Sequence, residues 1–312
     1  MSKTVVMFPG QGVQQKGMGE DFCKEFTESR SLFERAGRIT GIDIKRLIFE
    51  ENEDLNKTEF TQIALYVTEM AILAAAVKNG LSYDCAVGLS LGEYGALTAC
   101  KGIEFDDCAL LVRNRGVYME TAVPAGKGAM AAVLGPTGAE VENIILDSGL
   151  ENVYVANFNC PGQTVISGEK ESVAAAMEIL KREGAKRVVE LNVSGPFHSP
   201  MLKNAGEQLL KDLEKTQFGS VQIPYYANYT ADIIDSSTEA DELRQILSKQ
   251  VYSPVKFEQS VRKILDAGFT TFIEIGPGKT LTGFVRKTAK DMEKTDIRLI
   301  NIEKVSDMEA LD

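Results

Sequence analysis

Ser90 stands in the pentapeptide Gly88-Leu89-Ser90-Leu91-Gly92, between the short apolar run of residues 84–89 and a small-residue helical pattern over 91–101. A G-x-S-x-G at a strand-to-helix junction is the sequence form of a nucleophile elbow. The serine sits on a tight turn, and the flanking glycines let strand and helix pack closely. The plain alternative is a glycine-rich loop without chemistry. A serine hydroxyl is a weak nucleophile until a neighbouring base takes its proton. The chain of 312 residues holds one histidine, His198, in Gly195-Pro196-Phe197-His198-Ser199-Pro200. Imidazole has the ordinary pKa that suits proton transfer near neutral pH. A serine–histidine pair in this chain is therefore Ser90 with His198, in the order serine before histidine, and a limb near neutrality is expected in its pH–rate profile. A lysine base is the fallback. No Asp or Glu nominates itself as a third member.

Other short patterns carry less. Gly10-Gln11-Gly12 follows the apolar run of residues 3–8, but Gln15 stands where a dinucleotide fingerprint needs its third glycine. It reads as a turn whose backbone amides face a pocket. Residues 276–280, GPGKT, look like the tail of a phosphate loop, yet Ile273 occupies the place of the required first glycine. They read as a strand-to-helix turn. Arg113 and Arg115 lie two residues apart on an amphipathic helix, so they point in different directions and at most one can face a pocket.

These residues need elements to hold them. Strands are expected over 3–8 and 84–89, and helices over 60–79, 91–101 and 105–123, the last capped by Asp106 or Asp107. Near-continuous apolar strands alternating with helices indicate a parallel α/β sheet. From 128 the rhythm changes to strand, helix, strand, strand, helix, strand, ending over 186–193, which is the ferredoxin-like order. The expected architecture is therefore α/β. A parallel-sheet, α/β-hydrolase-like large domain (1–126 and 195–312) carries an inserted ferredoxin-like small domain (127–194). Helices near 200–214, 239–250 and 256–267 and strands near 222–227, 270–275 and 297–302 complete the large domain.

Composition narrows the class. Asp and Glu outnumber Lys and Arg by 45 to 34, for a net charge of −11. That argues against a general binder of nucleic acid or anionic membranes, though local basic patches remain compatible with it. Residues 1–10 contain no long apolar run, so a signal peptide is not expected. The longest apolar pattern, residues 63–77, is interrupted by Thr68 and Glu69 and is expected as a buried helix. Five scattered cysteines without a C-x-x-C pattern suggest free thiols in a reducing cytoplasm. A single histidine argues against a His/Cys zinc site.

Seven segments occur in order: FPGQGVQQKGMG, GLSLGEYGALTA, VRNRGVYMETAVPAGKGAMAAVLG, NFNCPGQTVISG, GPFHSPML, QVYSPVKF and IEIGPGKTL. Together they closely resemble the malonyl-CoA:acyl carrier protein transacylases of bacterial type II fatty acid synthesis, from about residue 4 to about 302. The resemblance implies transfer of malonyl from coenzyme A to the phosphopantetheine thiol of acyl carrier protein. Neither cofactor nor metal is implied, and the expected state is a cytoplasmic monomer. It implies Ser90 as nucleophile and His198 as its base. Gln11 and Leu91 supply oxyanion-hole N–H groups, and Arg115 pairs with the malonyl carboxylate. The Gln250 backbone carbonyl orients the histidine, which fills the gap left by the missing acidic member. Phe197 would limit room at the malonyl α-carbon. Cys160 departs from the serine commoner at its position. The rivals are a serine hydrolase or thioesterase, a polyketide-type acyltransferase using another extender unit, and a non-catalytic carrier-binding scaffold. An acidic carrier needs a basic patch on this acidic chain. The candidates are Lys181, Arg182, Lys186 and Arg187, with Arg286 and Lys287.

Overall fold

The computed structural model describes residues 3–124, 126–193 and 195–311. The apolar run after Lys3 forms strand β1 (Lys3–Phe8), buried from Val5 onward. Three helices not foreseen in the sequence follow: α1 (Glu20–Glu25), α2 (Thr27–Thr40) and α3 (Ile44–Phe49). α1 and α3 are only six residues each, and α2 is mostly polar with its buried Ser29, Phe33 and Ala36 on one side. α4 (Thr58–Lys78) is apolar on all sides and is long and apolar enough to cross a membrane, but most of it is buried inside the protein. Next come β2 (Cys85–Gly88), α5 (Gly92–Ala99) and α6 (Phe105–Thr121). The expected cap on α6 needs correction. Its N-cap is Glu104, without a side-chain bond, and Asp106 and Asp107 lie in the first turn, where acids favour the helix dipole.

The altered rhythm after residue 127 becomes β3 (Gly128–Leu134), α7 (Gly138–Asp147), β4 (Val153–Cys160), β5 (Gln163–Glu169), α8 (Lys170–Arg182) and β6 (Arg187–Glu190). α7 opens with a capping box in which Thr137 and Glu140 satisfy each other's backbone N–H groups. The expected boundary residue Ser194 lies outside the described residues. The chain continues through α9 (Lys203–Leu213), β7 (Tyr225–Tyr226), β8 (Ile233–Ile234), α10 (Ala240–Gln250), α11 (Phe257–Asp266), β9 (Phe269–Ile275), α12 (Thr280–Asp291) and β10 (Arg298–Ile302). β7 is shorter than expected because Pro224, lacking an N–H, cannot donate to the ladder. The GPGKT segment joins β9 to α12, as a strand-to-helix turn should.

Two sheets result. One runs β10-β9-β1-β2-β7-β8, with every pair parallel except the antiparallel edge strand β8. The second runs β4-β5-β3-β6 and is antiparallel throughout. It packs its apolar residues with those of α7 and α8 in a core of its own. The two meet where Val255 N–H donates to Ala156 O at 2.8 Å and Phe158 N–H donates to Val255 O at 2.9 Å.

The crossing of β1, β2 and α5 explains the glycines of the pentapeptide. A Cβ on Gly92 would lie 2.0 Å from Phe8 O, and one on Gly88 would lie 2.0 Å from the Gly92 carbonyl. Both obstacles are backbone, which cannot swing aside. Gly92→Ala should therefore cost about 1–3 kcal/mol or more, the range for overpacking a dense core. Gly283, inside α12, has open space where its Cβ would go, so Gly283→Ala should stabilise by about 0.4–1 kcal/mol. Urea unfolding of both variants checks the pair. Equal midpoints for the two would contradict the tight crossing.

Candidate active site

The elbow forms because β2 must turn abruptly into α5. Ser90 takes the strain with φ 55°, a left-handed conformation that costs a non-glycine residue about 1–3 kcal/mol. His198 has φ 57° and sits in the rigid Pro196–Pro200 turn. The turn brings its Nε2 to 2.7 Å from Ser90 Oγ. On the other side of the ring, Nδ1 lies 2.9 Å from the Gln250 carbonyl oxygen at the end of α10. A carbonyl only accepts, so Nδ1 carries the proton and Nε2 is left as an acceptor facing the serine. Burial, seconded by the Arg115 charge, pushes the His198 pKa down to about 4, against the bond to the Gln250 carbonyl. The imidazole is thus neutral at pH 7.

Arg115 and Arg113 part company as their spacing requires. Arg113 turns to the Glu59 carbonyl and carboxylate. Arg115 is 1% exposed and enters the cleft. Its Nη1 donates to Gln62 Oε1 at 2.5 Å, and its Nη2 donates to Gln250 Oε1 at 3.0 Å and Ser90 Oγ at 3.2 Å. The guanidinium also lies 5.4 Å from the Tyr94 ring centre. All three bonded acceptors are neutral. Among the described residues no carboxylate pairs with it directly. The nearby carboxyl, Glu93, is fully buried and its pKa is pushed up to about 7, chiefly by that burial. A buried cation with neutral neighbours, beside a nucleophile, suits an incoming anion.

The turn after β1 completes the site. A Cβ on Gly10 would lie 2.6 Å from Leu89 O, so only glycine lets this turn approach the elbow. Gln11 follows it, anchored by its side-chain amide to Thr58 Oγ1 at 3.1 Å. Leu91, the N-cap of α5, is the next peptide beyond the serine. Among the described residues, neither the Gln11 nor the Leu91 N–H meets a protein acceptor. Gln11, Ser90, Leu91, Arg115 and His198 all line one cleft of about 250 Å³. Gln250 stands behind it. The far wall comes from the antiparallel sheet, through residues such as Met130, Asn157 and Asn159. Phe197 also lines the cleft beside the histidine. Cys160 is buried against the β9 side of the parallel sheet.

Sequence reasoning missed Gln62, Glu93 and Asn228. Gln62 and Glu93 are polar interruptions in otherwise apolar buried helices, a signal the sequence did offer. Asn228 carries no such signal, being one polar residue in the loop after β7.

Comparison with known proteins places the site in context. A family model described as an acyl transferase domain matches residues 5–308. A malonyl CoA-acyl carrier protein transacylase of Bacillus subtilis (strain 168) is 42% identical over 297 residues, 94% of this chain and 92% of its own. The chain belongs to the malonyl CoA-acyl carrier protein transacylase family. Solved transacylase structures agree in shape. The crystal structure of the transacylase from Clostridium perfringens is 40% identical with a TM-score of 0.93, covering 99% of this chain and 96% of its own. A malonyl-transacylase solved in complex with its type II PKS acyl-carrier protein is 34% identical with a TM-score of 0.93, over 99% and 98% of the two chains. Against these transacylases the present chain is matched almost end to end, with both sheets included.

Proposed function

We propose that this transacylase moves a malonyl group from malonyl-CoA to the phosphopantetheine thiol of acyl carrier protein, supplying extender units for fatty acid synthesis. The observation that carries the malonyl assignment is Arg115, a buried guanidinium within 3.2 Å of Ser90 Oγ and without a carboxylate bonded to it. The cycle is ping-pong. His198 Nε2 takes the Ser90 proton as Oγ attacks the thioester carbonyl, and the N–H groups of Gln11 and Leu91 hold the oxyanion. The C–S bond breaks, and the coenzyme A thiolate leaves with the proton from His198. The carrier thiol then gives its proton to His198 and attacks the malonyl ester, and Ser90 Oγ recovers the proton. The Gln250 carbonyl keeps the imidazole in the required tautomer throughout.

The architecture fits this reading. Residues 127–194 form a unit of ferredoxin-like strand order inserted in an α/β-hydrolase-like frame, and the cleft between them admits a long thioester arm. Phe197 at the cleft disfavours branched extender units. Lys287, whose ammonium donates to Gln163 Oε1 at the cleft wall, and neighbouring Arg286 are better placed for an acidic carrier than Lys181, which pairs with Glu178. The five cysteines are unpaired and buried, in keeping with a reducing compartment. The chain is read as a monomer without a cofactor.

Arg115 provides the decisive experiment, because a hydrolase with the same elbow has no use for it. A terminal carboxylate is costly to desolvate without a partner. A bidentate guanidinium offsets that cost for malonyl and is left unpaired by acetyl, so it selects by penalty as well as attraction. Arg115→Ala should lose about 2–5 kcal/mol of transition-state stabilisation with malonyl-CoA, the range for truncating one partner of a buried charge pair. Acetyl transfer should hold steady or improve, and Arg115→Lys should rescue malonyl only partly, lacking the fork. The measurement is kcat/KM for both thioesters with carrier protein present, scoring protein-bound malonyl against free malonate. Equal losses for both substrates would make Arg115 structural. Free malonate as the main product would favour the hydrolase.

A further inference from the structure

The strained Ser90 backbone has an unassigned partner. Asn228 lies fully buried in the loop between β7 and β8. Its Oδ1 accepts the Ser90 N–H at 2.6 Å, and its Nδ2 donates to the Gly88 carbonyl at 2.7 Å. One side-chain amide thus bridges the peptide groups on both sides of Leu89, at the point where the strand reverses into the helix. Asn228 is itself fixed along its main chain. Its N–H donates to Glu93 Oε2 at 3.2 Å, and its carbonyl accepts from Lys256 N–H at 2.9 Å. Glu93 Oε2 also accepts from Gln250 Nε2 at 2.9 Å, and that same Nε2 donates to the Ser90 carbonyl at 2.7 Å. Both the N–H and the C=O of the serine are therefore held by side chains distant in sequence, Asn228 from a loop and Gln250 from the end of α10.

We propose that Asn228 is a positioning residue that clamps Ser90 in its left-handed conformation and keeps its N–H out of the oxyanion site. The inference rests on Ser90 being the nucleophile. A left-handed serine persists only where its surroundings over-determine it, and a donor–acceptor bridge of this shape needs a carboxamide. With the Ser90 N–H occupied, the amides left for the developing oxyanion are those of Leu91 and Gln11. A clamp of this kind governs the rate of acylation and not the affinity for substrate, since Asn228 touches neither Arg115 nor the cleft.

Single-turnover acylation with labelled malonyl-CoA, corrected for active sites by the label captured on Ser90, tests it. Asn228→Ala should slow the limiting acylation rate about 10- to 100-fold, the scale of a small misplacement of a reacting atom. The half-saturating malonyl-CoA concentration should stay within about threefold, and the malonyl-to-acetyl preference should be unchanged. Asn228→Asp keeps the shape and covers the case in which alanine disturbs folding. As the neutral acid it can still accept from Ser90 N–H and donate to Gly88 O; as the carboxylate it cannot donate. Its rate relative to wild type should therefore rise as the pH falls from 8 to 5. The titrating neighbours His198 and Glu93, and the Arg115 charge, are present in both proteins, so the ratio reads the new carboxyl together with its coupling to Glu93. A wild-type rate per active site in Asn228→Ala, or an Asn228→Asp rate that is reduced and does not recover as the pH falls, would overturn the clamp. A wild-type enzyme that never carries label on Ser90 would overturn the nucleophile assignment and the clamp with it.

Discussion

Ser90→Ala should abolish malonyl transfer, with a loss of ~10⁴-fold or more, as expected when the nucleophile of a covalent mechanism is removed. Thr280 also lines the cleft, but among the described residues Ser90 is the hydroxyl that meets His198. Arg115 and His198 cannot form the ester, and the one cysteine near the region, Cys160, is buried with its thiol pushed up to about 11 by that burial. What survives should be the modest assistance of the oxyanion groups and of binding alone. Two measurements check this independently: steady-state transfer to carrier protein, and acid-stable label on the denatured chain after incubation with labelled malonyl-CoA. Both should vanish together while coenzyme A binding persists. A variant retaining a tenth of wild-type transfer would end the assignment of Ser90 as nucleophile.

His198→Ala comes next in size, at roughly 10²–10⁴-fold, the range for a general base. The structure changes what the pH profile should look like. Sequence alone suggests a limb near neutrality, because an unperturbed imidazole titrates there. Burial and the Arg115 charge move the group to about 4. Only the neutral ring can accept the serine proton, so kcat/KM for malonyl-CoA should be level through neutrality and fall as the pH drops through about 4. In His198→Ala that acid limb should disappear. A limb that persists in the variant, at whatever pH it falls, would assign the base elsewhere. Stability follows the same sign. The unfolded chain binds a proton at His198 from its ordinary 6.5 downward, while the folded chain resists until about 4. The stability contributed by the neutral, buried ring is therefore complete above 6.5 and is lost as pH falls toward 4. Glu93, raised to about 7, works in the opposite direction between its ordinary value and 7.

The pentapeptide was legible because its chemistry and its packing demand the same residues: Gly88 and Gly92 are glycines for want of space, and Ser90 sits between them. The histidine was legible because it is alone in the chain and boxed by prolines. Both sheets could be anticipated from the change in rhythm near residue 127. The shortfalls have physical causes. α1 and α3 are too short, at six residues each, to show a helical period, and α2 has only three buried residues in fourteen to mark its inner face. Arg115 could be told from Arg113 only through family resemblance, since spacing says that they diverge and not which turns inward. Asn228 was illegible, because its role depends on a contact with Ser90 across 138 positions of chain. The Glu93 carboxyl stands out in sequence as the one charge in the small, apolar α5, but its partners Asn228 and Gln250 lie 135 and 157 positions away.

The strand order also sets a timetable for the newly made chain. β1 has β2 on one side and β9, residues 269–275, on the other. The turn bearing Gln11 leaves directly from β1, and Gln250 and the Val255 seam lie just before α11 and β9. The antiparallel sheet, by contrast, draws all its strands from residues 128–190 and finds its partners locally. During synthesis that sheet has its full set of strands while β1 still waits for a neighbour near the other end of the chain. Long-range parallel pairing is slow and leaves edges exposed until it closes. A chain interrupted before β9 therefore holds the serine, the histidine and the arginine, but its β1, which carries the oxyanion turn, is held on the β2 side alone.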